Sequence, residues 1–93
     1  MSKKNWKHII NGCDWGILEN ILRSHYGVTG FSVRDVGYGI VDIEVIGCGS
    51  RFVIIAMVEV YEGIIGEDNI EVLADIDNGD GDISCLVRVM GDI

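Results

Sequence analysis

Between Trp15 and Tyr26 the apolar residues recur at helical spacing. Trp15, Ile17, Leu18, Ile21 and Leu22 make one broad stripe, and Glu19, Asn20 and Arg23 fall on the other side. Asp14 is well suited to cap the start, and Gly27 stands where a left-handed residue ends a helix. His25 falls near the negative pole of the helix. A shorter helix is expected over Asn5–Ile10, where Trp6, Ile9 and Ile10 are spaced i, i+3, i+4 before Asn11-Gly12.

From Phe31 onward the period shortens to two. Val41, Ile43 and Val45 alternate with Asp42 and Glu44. In Ile70–Ile76, the set Ile70, Val72, Ala74, Ile76 opposes Glu71, Leu73, Asp75. In Ile83–Met90, the set Ile83, Cys85, Val87, Val89 opposes Ser84, Leu86, Arg88, Met90. Between these, "RFVIIAMVEVY" (Arg51–Tyr61) is almost continuously apolar and rich in β-branched residues. That pattern predicts a central strand covered on both faces. Gly47–Ser50 is then a hairpin loop that sets Val45 against Phe52, Ile43 against Ile54 and Val41 against Ala56. Val36-Gly-Tyr-Gly39 links a preceding strand carrying Phe31 and Val33.

In the last hairpin a four-residue loop, Asn78–Gly81, pairs Ile76 with Ile83, Leu73 with Leu86 and Glu71 with Arg88. The predicted fold is α+β in one domain of 93 residues. Residues 1–27 are helical, and residues 30–93 form an antiparallel sheet of four to five strands with a helix on one face.

Charge sharpens this picture. The net charge is −8. The first eight residues hold three Lys and no acid, whereas Glu59, Glu62, Glu67, Asp68, Glu71, Asp75, Asp77, Asp80 and Asp82 occupy a stretch without Lys or Arg. Such a chain repels phosphate backbones and is drawn to basic protein surfaces. Three widely spaced cysteines, Cys13, Cys48 and Cys85, do not form a disulfide framework and point to a reducing compartment, the cytoplasm. No apolar run is long enough to span a membrane, and the basic N-terminus lacks the features of a secretory signal.

Candidate chemistry is sparse. "DIDNGDGDIS" (Asp75–Ser84) offers Asp75, Asp77, Asp80 and Asp82 as calcium ligands. However, Gly79 stands where a ligand belongs, Asp80 where the loop glycine belongs, and no Glu closes the loop. An acidic hairpin turn fits better. Cys13 and His25 would sit about three turns apart on one helix, too far to act together. "GYG" and "GCGS" lack the Lys-Ser/Thr of a phosphate loop.

On the outer sheet face, Val53, Ile55, Met57, Leu73, Leu86 and Met90 are expected beside Asp42, Glu44, Glu71 and Arg88. Apolar residues ringed by charge suggest an interaction face, to be covered by the segment around Trp6, by a second copy, or by a partner. The function expected is therefore non-enzymatic. The chain reads as an acidic interaction module whose residues Glu59–Asp82, with Leu73, Leu86 and Met90, dock on the basic nucleic-acid groove of another protein. No cofactor is expected. A homodimeric regulatory protein and a calcium-responsive hairpin are the alternatives. In size and charge alone, the chain is comparable to phage DNA mimics and some anti-CRISPR proteins.

Overall fold

A computed structural model describes residues 14–62, 65–79 and 82–90. The expected helix over Asn5–Ile10 lies outside them. The described elements are α1 (Trp15–Tyr26), β1 (Gly30–Gly37), β2 (Ile40–Ile46), α2 (Ser50–Val60), a 3₁₀ turn (Glu67–Asn69), β3 (Ile70–Asp77) and β4 (Ile83–Met90). The strands form one antiparallel sheet in the order β1-β2-β4-β3. The α+β class is as expected, with both helices on one face.

α1 begins and ends as its sequence dictates. The Asp14 carboxylate accepts the Gly16 amide at 3.0 Å, and Gly27 adopts a left-handed conformation with φ of 70°. Leu18 and Leu22 are fully buried, but Ile17 is half exposed, so the apolar stripe is narrower than the sequence suggested.

Arg51–Tyr61 is not a strand. It forms α2, and the pairings of Val45, Ile43 and Val41 with Phe52, Ile54 and Ala56 do not occur. Those β2 residues pair instead with Cys85, Val87 and Val89 of β4. The helical stripe is present, because Ser50, Val53, Ala56 and Met57 are buried at i, i+3, i+6, i+7. It was masked because Phe52 and Ile55, on the outward side, are apolar too, at 48% and 44% exposure. Tertiary packing overrides the modest helix penalty of β-branched residues. Gly47–Ser50 is therefore no hairpin loop: residues 47–49 connect β2 to α2, and Ser50 opens the helix.

The core lies between the helices and one sheet face. Leu18, Leu22, Val53 and Met57 pack against Val41, Ile43, Val45, Val87 and Val89. Val53 and Met57 are thus core residues and not part of an outer sheet face. Ile55 lies on the exposed side of α2.

The β3–β4 register departs from expectation halfway along. Ile70, Glu71 and Val72 oppose Val89, Arg88 and Val87, as predicted. Ala74, Asp75 and Ile76 then oppose Leu86, Cys85 and Ser84. Leu73 is the extra residue of a β-bulge, so the two sides of the strand exchange there. The pairings of Leu73 with Leu86 and of Ile76 with Ile83 are lost. Strand pairing stops at Asp77 and Ile83, so the connecting segment is 78–82.

Candidate protein-interaction surfaces

The bulge at Leu73 decides what Asp75 does. Read as strict alternation, Asp75 shares a face with Glu71. After the bulge it turns toward the helices, opposite buried Cys85. There its carboxylate accepts the backbone amide of Ser50 at 3.2 Å and the Ser50 hydroxyl at 2.7 Å. Ser50 opens α2, whose own N-cap, Gly49, supplies no side-chain bond. Asp75 therefore satisfies the helix start from 25 positions downstream and places a negative charge at its positive end.

The remaining acids trace one border of the sheet. β3 is an edge strand, with Glu67 and Asp68 in the turn before it and Glu71 and Asp77 within it. Asp82 stands in the turn after it. The eight residues of β3 span about 23 Å at 3.3 Å per residue. Glu59 and Glu62 lie apart from this edge. Glu59 is on α2 beside His25 and Tyr26, where an open cleft of about 430 Å³ is also lined by Ile21 and Ala56.

Among the described residues of the 75–84 segment the carboxylates are engaged separately. Asp77 accepts the Gly79 amide at 2.9 Å, and Asp82 accepts the Asn78 side-chain amide at 3.2 Å. Asp75 is committed to Ser50, and Asp80 lies outside the described residues. Among the described residues no group of three or more His, Cys, Asp or Glu is disposed to hold a metal ion.

The sheet face turned away from the helices forms a second surface. Leu86 and Met90 lie on it as expected, partly exposed, while Leu73 sits at the bulge, 39% exposed. Arg88 joins Asp42 through two bonds, Nε to Oδ1 at 2.7 Å and Nη2 to Oδ2 at 3.0 Å. This fork holds the Asp42 carboxyl below the ordinary carboxylate range and raises Arg88 in turn. A shallow depression of about 210 Å³ beside it is lined by Ser32, Arg34, Asp42, Glu44 and Leu86.

A third surface depends on α2 being a helix, since a strand over Arg51–Tyr61 would not bring Phe52 to Tyr26. Tyr26 of α1 and Phe52 of α2 lie ring to ring at 5.7 Å, with Ile55 exposed on the same helix.

The cysteines are placed for packing. Cys48 and Cys85 are buried in the core. Burial, with the nearby Asp75 carboxylate, pushes the Cys48 thiol up, and it pushes Cys85 up to about 12. Both are thiols and not thiolates at neutral pH, which makes them poor nucleophiles. Cys13 lies outside the described residues, and His25 is at the far end of α1 from Asp14.

No protein-family model, curated protein or solved structure matches this chain. Among the described residues, no helix is long and apolar enough to cross a membrane.

Proposed function

We propose that this protein is a non-enzymatic, cytoplasmic interaction module that presents its acidic β3 edge to a basic surface on a partner protein. One observation carries the reading. β3 lies at the border of the sheet, and no Lys or Arg occurs between Arg51 and Arg88. The carboxylates of Glu67, Asp68, Asp77 and Asp82 therefore line a rigid edge with little local neutralisation, while Glu71 is partly offset by Arg88 opposite it. Such a field speeds encounter with a cationic groove and fixes orientation. A groove that normally holds nucleic acid is one such target, and occupying it would block that ligand, as DNA mimics do.

Asp75 does not belong to the proposed contact set, because its carboxylate is bound to Ser50. The test uses a triple reversal, Glu67→Lys, Asp68→Lys and Asp77→Lys, which spares that bond. The wild-type chain is expected to capture a nucleic-acid-binding protein, to lose it as salt rises, and to compete with that protein's nucleic acid. The triple variant, folded by circular dichroism, is expected to capture at least about tenfold less. Undiminished capture by the folded variant, or capture that ignores both salt and nucleic acid, would refute the reading.

A further inference from the structure

The sheet face opposite the helices carries a charged row that crosses every strand. In the strand order β1, β2, β4, β3 it reads Arg34, Asp42, Arg88, Glu71, each residue directly paired with the next. The signs alternate. The middle two form the Arg88–Asp42 fork. The end members, Arg34 and Glu71, make no ion pair within 4.0 Å to another described residue.

Alternation gives this row a symmetry property. Plus-minus-plus-minus, read backwards, is its own opposite. We infer that the open sheet face binds a second copy of the chain, face to face, about a two-fold axis parallel to the strands and between β2 and β4. This operation reverses the row. Arg34 of each copy then lies over Glu71 of the other, and Asp42 lies over Arg88. A two-fold axis across the strands would instead stack each charge on its own kind.

A second row matches under the same operation. Gly30, Ile46, Ser84 and Ile76 are also direct neighbours across the sheet. Reversed, the row sets Gly30 over Ile76 and Ser84 over Ile46, small against large throughout. Ile46 and Ile76 are 43% and 50% exposed, so both have apolar surface to bury. Gly30 already lies tight to Ile46, with only 2.9 Å from an added Cβ to its side chain, so this position stays low on the face. Ile40 and Met90, paired beyond the charged row, meet their counterparts. The intervening row, Ser32, Glu44, Leu86 and Ala74, sets Glu44 over Leu86 and is the weakest match.

The area suffices. Four strands about 4.8 Å apart and seven residues at about 3.3 Å make a face of about 450 Å². Side-chain relief raises this to ~600–700 Å² per copy and ~1,200–1,400 Å² in all, the low end of stable interfaces. The charges contribute orientation more than affinity. Apart from Glu71, the acids of the β3 edges (Glu67, Asp68, Asp77 and Asp82) stay outside, one edge at each flank of the pair, so this inference does not depend on the proposed function.

Sedimentation equilibrium of the reduced full chain at about 100 µM and about 150 mM salt, where general repulsion is screened, is expected to give twice the 10.2 kDa chain mass. Arg34→Glu alone and Glu71→Arg alone should each weaken association ~10–100-fold, because two facing pairs turn repulsive. The double variant should recover it, and an equimolar mixture of the two single variants should pair with each other. A wild-type monomer at that concentration overturns the inference and leaves the face to residues 1–13 or to a foreign protein. A dimer that folded single variants do not weaken, or that the folded double variant does not recover, overturns it too. Should a single reversal unfold the chain, Arg34→Gln and Glu71→Gln carry the test, each expected to weaken association severalfold.

Discussion

Asp75 shows how far a residue's role can lie from its sequence context. In sequence it belongs to an acidic run and reads as a lure or a metal ligand. In the fold it holds the Ser50 amide and hydroxyl at the start of α2. Asp75→Ala is expected to destabilise the protein by about 1–2 kcal/mol in urea unfolding, the usual cost of losing a helix cap. Ser50→Ala should cost less, since the backbone amide bond survives, and the two losses should not add. Additive effects would show the pair to be uncoupled.

The buried thiols give a second measurable effect at this scale. Their pKa values are raised in the fold, so the stability they contribute is fully present below the ordinary thiol value of 9.0. It is lost as pH climbs toward the folded value, about 12 for Cys85. The chain is therefore expected to lose stability across that alkaline window. Cys85→Ala should flatten the loss relative to its own neutral-pH stability, and an unchanged slope would contradict the assignment.

Elements were legible in proportion to how local their signals are. α1 could be read because its cap, stripe and terminating glycine all lie within the segment. The β1–β2 hairpin was legible too, as a strand carrying Phe31 and Val33 joined through the turn at Val36–Gly39, although its register, Phe31 opposite Val45 and Val33 opposite Ile43, comes from the structure. Its two turn residues, Tyr38 and Gly39, have φ of 57° and 77°, the positive values a tight hairpin demands. Tyr38 is the one non-glycine residue with positive φ among those described, and it is 81% exposed. Tyr38→Asn should raise stability by about 0.5–1 kcal/mol, because Asn tolerates this conformation better and no packing is lost. A fall in melting temperature would point to an unrecognised contact of the ring.

α2 was not legible, since apolar residues on both its sides erased the helical period and its cap comes from β3. The bulge at Leu73 was equally hidden. Nothing in Ile70–Asp77 marks where one residue slips, yet that slip decides which acids face the helices.

At the scale of the whole molecule, composition located the charge but not its arrangement. The acidic run was evident in sequence, and its placement along a sheet border depends on the strand order. The open-face row was legible in part: Asp42, Glu71 and Arg88 were expected on one face, with Glu71 opposite Arg88, but Arg34 and the continuous order across the strands depend on a topology that places β4 beside β2. Residues 74–76 fall on the sides they do only because of the bulge, so one backbone irregularity shapes both the acidic edge and the open face.

The strand order also bears on how the chain acquires its shape. β4 is the latest of the described strands in the chain, yet it lies inside the sheet and makes two of its three ladders, with β2 and with β3. Synthesis halted before Ile83 would leave two bare strand edges and a half-built core, open to aggregation. The sheet can close only once β4 has left the ribosome, so folding must wait for nearly the whole of the described chain.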